Sequence, residues 1–182
     1  MSKLYENSFR SVNIALANEF KMMADKMNIN IFSVLNAAST KPFGFTRFNP
    51  GPGVGGHCIP VDPKFLIEAF PEDTALLSLA RDINTTQVSR MIARAEAAGL
   101  SPGSKVAILG AAYRGDIDDA RNTPTEDLIA ALASAGYTWQ THDPHVTRFA
   151  PHGGQPPNLT QDIDAALTGA AAAFVITGHS EY

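Results

Sequence analysis

The residues with the clearest chemical potential gather around Cys58, the single cysteine of the chain. Gly51, Gly53, Gly55 and Gly56 fall within six residues immediately before His57-Cys58. Residues without a Cβ let backbone N–H groups approach a substrate closely and adopt unusual dihedral angles. Pro60 and Pro63 frame the thiol, with Asp62 four residues beyond it. A thiol beside a carboxylate suits covalent catalysis and water activation. The competing reading is a free cysteine acting as a small buried hydrophobe. Lys3 and Asn7 are spaced i, i+4, so on a helix they share one face. A cation and an amide so placed could stabilise an oxyanion beside a thiol; the alternative is a solvated lysine near a fraying terminus.

A third group, Arg114-Gly-Asp116-Ile-Asp118-Asp119-Ala-Arg121, follows an apolar run at 105–110. Ligands of open α/β sheets bind beyond the carboxyl ends of strands. Two arginines there fit a phosphate-bearing ligand, although a charged turn whose aspartates and arginines pair with each other fits equally. The five histidines show no metal-ligand spacing, His142-Asp-Pro-His145 reads as a turn after a strand, and no metal is expected. Gly51-Pro-Gly53-Val-Gly-Gly56 matches the dinucleotide fingerprint G-x-G-x-x-G by letter. That fingerprint works only between a strand and a helix, and the flanking prolines leave room for neither.

These residues must be positioned by the elements around them. From Leu4 to about Met27, Leu4, Val12, Leu16, Phe20, Met23 and Met27 keep helical spacing. A shorter helix follows, ending near Ser39-Thr40. Residues 42 to 63 hold five prolines and five glycines and read as a long functional loop. Beyond Pro71, one apolar stripe from Leu76 to Ala95 predicts a single helix over 72–98, closed by Gly99. Its length of about 40 Å suggests a connector or an oligomer surface. After Gly103 the period changes: a strand at 105–110, a helix at 123–135, a strand at 137–142, a short helix at 162–167 and a strand at 172–177. Strands alternating with helices imply a parallel sheet. The expected fold is therefore a helical region, 1–100, followed by a Rossmann-like α/β domain, 101–182, that looks cut short.

Composition limits the function classes. Hydrophobic residues make up 45% and charged residues 18%, which is globular. The net charge of −4 disfavours nucleic acid, which needs clustered positive charge. No apolar run approaches a membrane span. One cysteine excludes an internal disulfide. A soluble, cytoplasmic protein is expected.

Taken together, these segments resemble the UDP-glucose/GDP-mannose dehydrogenase family, near the branch that oxidises UDP-N-acetylhexosamines. Lys3 to Glu19 is similar to the family's central-helix motif. Lys41-Pro-Phe-Gly-Phe45 with Pro50 to Pro63 resembles its catalytic-cysteine loop. Gly110 to Pro124 and His142-Asp-Pro144 resemble its UDP-binding domain. The resemblance implies NAD-dependent oxidation of a sugar C6 alcohol to the uronate for polysaccharide biosynthesis. Cys58 would carry thiohemiacetal and thioester intermediates, Lys3 and Asn7 would stabilise oxyanions, and Asp62 would position or deprotonate water. Gly51, Gly53, Gly55, Gly56 and Arg114 would contact the UDP-sugar, Arg121 would reach the NAD pyrophosphate, and a homodimer is implied.

The sequence departs from the family pattern at several points. Arg114 stands where a lysine is usual, Gly115 where a second lysine often lies, and Ser2 and Arg47 are atypical. A guanidinium is not equivalent to an ammonium. A family NAD-binding domain would precede Lys3, so the chain reads as a fragment inactive alone. Two alternatives remain: a non-catalytic nucleotide-sugar-binding or dimerisation module, and a 6-phosphogluconate or hydroxyacid dehydrogenase, against which Cys58 argues.

Overall fold

A computed structural model describes residues 1–182. In chain order the elements are α1 (Ser2–Lys26), α2 (Ile31–Ala38), α3 (Asp62–Ala69), a 3-10 turn (Pro71–Asp73), α4 (Ala75–Thr85), α5 (Gln87–Ala97), β1 (Lys105–Leu109), α6 (Pro124–Ser134), β2 (Thr138–His142), β3 (Leu159–Thr160), α7 (Ile163–Leu167) and β4 (Ala172–Val175). Contacts divide the chain into two units. The first joins residues 1–51 with 58–87, and the second joins 52–57 with 88–182. Residues 88–100 group with the second unit, as does most of the glycine loop.

In the first unit α1 packs along α4 and α3. Its periodic residues Leu16, Phe20, Met23 and Met27 are exposed, while Asn7, Ser8, Ser11, Ala15, Ala17, Asn18 and Ala24 are buried. The face toward α4 is therefore built from small and polar side chains, which let two helices approach closely. A buried amide pair fixes their register. Asn18 Nδ2 donates to Asn84 Oδ1 at 3.0 Å, and Asn84 Nδ2 donates to the Ser11 carbonyl at 3.0 Å. Asn18 Oδ1 accepts from Gly51 N at 2.9 Å and so ties down the start of the glycine loop. Asn30 caps α2 by accepting from Phe32 N, and Ile31 and Leu35 bury against Ala24.

The single helix expected over 72–98 is absent. It is replaced by the 3-10 turn, α4 and α5, with a break at Thr86. Side chains explain the break: Thr85 Oγ1 donates to the Asp82 carbonyl, while Thr86 Oγ1 and Gln87 Nε2 both donate to that of Ile83. Two adjacent β-branched residues and this competition for helix acceptors interrupt the ladder. Helix α3 was not anticipated either. Pro63 lies in its first turn, where a missing N–H costs nothing, so a proline there starts the helix.

In the second unit the sheet is parallel throughout, ordered β3-β2-β1-β4. Lys105 pairs with Thr138 and Leu109 with His142 across β1 and β2, and Val106 pairs with Ala172 across β1 and β4. Val106, Ile108, Leu128, Ile129, Leu132 and Phe174 form the core between sheet and α6, joined by Val88 and Ile92 of α5. Thr123 caps α6 and Asp162 caps α7. The two-residue strand β3 was not anticipated; its pairing with Thr141 and His142 supplies what local pattern could not.

Candidate active site

In the first unit the opening turns of α1 meet the start of α3. Asp62, the first residue of α3, is buried. Its Oδ2 accepts from Asn7 Nδ2 at 2.6 Å and lies 3.4 Å from Lys3 Nζ. A carboxylate only accepts, so the amide nitrogen of Asn7 must be the atom that faces it. Cys58 is half-buried, and its carbonyl accepts from Val61 N at 3.2 Å and Asp62 N at 2.8 Å. That turn fixes the cysteine over the end of α3 from which Asp62 projects. The Asp62 carboxylate, and after it the Cys58 sulfur, hold the exposed Lys3 ammonium above its ordinary range. Lys3, Asn7, Cys58 and Asp62, 55 or more residues apart for the pairs that span α1 and α3, thus share one locale. One N–H of Asn7 thus orients the Asp62 carboxylate.

In the second unit the loop between β1 and α6 carries the two arginines. Gly110 closes β1 at φ 99°, where an added Cβ would lie 2.6 Å from Thr177 Cβ. Arg114 is exposed. Arg121 is also exposed, and its guanidinium is held by Asp119, Nη2 to Oδ2 at 2.6 Å and Nε to Oδ1 at 2.9 Å. The internally paired reading of this turn therefore holds for Arg121. Gly53 and Gly56 have positive φ. Added Cβ atoms at Gly55 and Gly56 would meet Tyr113 at 2.8 and 3.2 Å. These two glycines are needed for packing against Tyr113, a partner that sequence spacing did not point to.

One buried carboxylate organises this loop. Asp143 follows β2, and its Oδ2 accepts from Ala111 N at 2.7 Å and Ala112 N at 2.9 Å. Its Oδ1 accepts from His145 N at 2.9 Å and Val146 N at 2.8 Å. Burial pushes the Asp143 carboxyl up, but these four donors outweigh it and hold the group below the usual carboxylate range. The aspartate of His142-Asp-Pro144 is thus the anchor of the β1–α6 loop. A carboxylate at a strand end beside a loop of small residues was the available signal.

Residues 1–86 match the central domain of the UDP-glucose/GDP-mannose dehydrogenase family, and residues 107–182 match that family's UDP binding domain. The chain belongs to the UDP-glucose/GDP-mannose dehydrogenase family. It is 35% identical over 182 residues to UDP-N-acetyl-D-mannosamine dehydrogenase of Methanocaldococcus jannaschii, covering 100% of this chain and 40% of that protein. Among solved structures, UDP-D-ManNAc dehydrogenase of Pyrococcus horikoshii superposes with a TM-score of 0.84 at 34% identity, over 100% of this chain and 42% of that one. NDP-N-acetyl-D-galactosaminuronic acid dehydrogenase of Methanosarcina mazei gives 0.85 at 34% identity, over 100% and 41%. The chain therefore spans about two fifths of the length of these family members. As a family, these are dehydrogenases, and the α/β unit is the one that matches the family's UDP binding domain. Neither glycine segment has the strand–turn–helix context of a dinucleotide fingerprint. The 51–56 segment is irregular with no strand before it, and the β1–α6 connection runs from 110 to 123 without paired glycines.

Proposed function

We propose that this chain supplies the thiol and the nucleotide-binding portion of an NAD-dependent UDP-sugar 6-dehydrogenase. The substrate class is a UDP-N-acetylhexosamine, or UDP-glucose, whose C6 alcohol becomes the carboxylate of a uronate for polysaccharide biosynthesis. The observation that carries this reading is the grouping of Lys3, Asn7 and Asp62 with Cys58. NAD, where bound, would supply the hydride acceptor for C6, and these 182 residues alone are expected to give no turnover.

The chain's own chemistry concerns the aldehyde and the acyl group. The Cys58 thiolate adds to the aldehyde carbon, and the carbonyl π electrons move to oxygen. The Lys3 ammonium, kept protonated by Asp62, stabilises that oxyanion, and the second N–H of Asn7 is free to join it. Once the carbon is at the acyl level, Asp62 takes a proton from water as the water adds. The C–S bond then breaks and Cys58 leaves as thiolate, so the reactive aldehyde never escapes. Gly51, Gly53, Gly55, Gly56 and Arg114 are proposed to line the UDP-sugar site, with Arg121 turning from Asp119 to the cofactor pyrophosphate. The exposed Leu16, Phe20 and Met23 of α1 and Leu76 and Leu79 of α4 are proposed to be covered in a homodimer.

Alkylation of Cys58 by iodoacetamide at neutral pH, read by peptide mass spectrometry, tests the electrostatic part. Lys3→Met slows it about two- to fivefold, the range expected of an exposed charge, and Asp62→Asn speeds it. A binding module without catalysis predicts that neither variant changes the rate.

A further inference from the structure

The segments beyond the carboxyl ends of β1, β2 and β4 bring together four side chains that the proposed dehydrogenase chemistry does not use: Asp116, His145, His179 and Glu181. One ligand atom from each lies within 4.8 Å of all the others. His145 Nε2 stands 3.2 Å from Glu181 Oε1 and 3.9 Å from Asp116 Oδ1, and His179 Nδ1 stands 3.8 Å from the same Asp116 oxygen. In a tetrahedral zinc site with bonds of about 2.0–2.1 Å, neighbouring donors lie about 3.3 Å apart. These three contacts lie near that value, and the widest pairs, within 4.8 Å, close when the two exposed carboxylates turn inward. We propose that Asp116, His145, His179 and Glu181 form a binding site for a divalent transition-metal ion of the zinc type.

Three features beyond proximity support this. The His145 Nε2 atom is buried and makes no well-aligned hydrogen bond, although the Glu181 carboxylate stands 3.2 Å away, so its lone pair or proton faces the two carboxylates. The His179 side chain is fully buried, and its Nε2 donates to Asp143 Oδ2 at 3.0 Å. Asp143 accepts only, so this contact fixes the tautomer and leaves the lone pair on Nδ1, where it accepts from the Asp116 backbone N–H; such a carboxylate–histidine contact is usual behind metal-bound imidazole. Finally, Asp116 holds φ 62°, in the left-handed region, while Gly115 packs against the Gly178 carbonyl, where a Cβ would lie 2.4 Å away. The loop is thus pressed onto the segment that carries His179 and Glu181. In the ion-free chain Asp116 N donates to His179 Nδ1 at 3.0 Å, and the ion takes over that lone pair when it binds. Two imidazoles favour zinc, cobalt or nickel over magnesium or calcium, which prefer all-oxygen shells. This site does not rest on the proposed dehydrogenase chemistry.

The test is titration of the chelator-treated chain with Zn2+ by calorimetry, together with Co2+ electronic spectra. One equivalent binds, and Co2+ shows intense tetrahedral d–d bands without a thiolate charge-transfer band. His145→Gln and Glu181→Gln each weaken Zn2+ binding by at least about 10–100-fold. Glu181 is half-exposed, so that variant reports on the ligand and not on folding. Absence of binding, affinity unchanged in the Glu181→Gln chain, or a thiolate band placing the metal on Cys58 overturns the assignment.

Discussion

Replacing Asp143 by alanine removes the acceptor that ties the 110–116 loop to the end of β2, and the structure sets the size of the loss. Three of its backbone donors belong to Ala111, Ala112 and Val146, all fully buried, so water cannot replace the carboxylate without opening the loop. A buried N–H left without an acceptor costs about 1–3 kcal/mol. Three of them, reduced by local relaxation, give about 3–5 kcal/mol, the range found when one partner of a buried charged network is deleted. His179 loses its acceptor as well. For a unit of this size the melting point falls by about 12 °C or more. Trp139 in β2 is the only tryptophan, so its fluorescence in urea melts reports this unit selectively. The pH dependence has a definite sign. Because the folded carboxyl sits below its unfolded value of 3.8, its contribution is fully present above that value and is lost as pH falls through the folded one. The gap between parent and variant is therefore wide at pH 7 and closes in acid. A gap below about 1 kcal/mol at pH 7, or one that grows on acidification, refutes the reasoning.

Two further outcomes follow from single positions. Asn84→Ala removes the amide that bridges Ser11 and Asn18, leaving the Asn18 donor without its partner, and lowers the stability of the helical unit by about 1–3 kcal/mol in urea melts followed by circular dichroism. Gly110→Ala loses at least about 1–3 kcal/mol from its positive φ alone, with the Thr177 clash in addition, measured by the Trp139 signal.

The α/β unit was legible except for β3, because strand and helix periods alternate cleanly and Gly99, Thr123 and Gly136 mark helix ends. The helical unit was less so. The stripe from Leu76 to Ala95 is a true periodicity, yet it runs through a break made by Thr85, Thr86 and Gln87, whose side-chain hydrogen bonds leave no trace in hydropathy. On α1 the apolar spacing marked the exposed face, and the buried one was written in Asn, Ser and Ala. Cys58, Lys3, Asn7 and Asp62 could each be singled out from residue type and local spacing. Their meeting could not, since it depends on α3 delivering Asp62 to α1. Asp116, His145, His179 and Glu181 have no motif spacing, and only the parallel register of β1, β2 and β4 gathers them.

The decisive measurement concerns the sulfur of Cys58 and needs no cofactor. A UDP-N-acetylmannosamine 6-aldehyde labelled with 13C at C6, mixed with the chain, is followed by carbon NMR. Covalent addition by Cys58 gives a new tetrahedral carbon signal distinct from the hydrate, absent with Cys58→Ala and weaker with Lys3→Met. Free aldehyde and hydrate alone, at chain concentrations where UDP-sugar binding is saturated, contradict a nucleophilic role for this thiol.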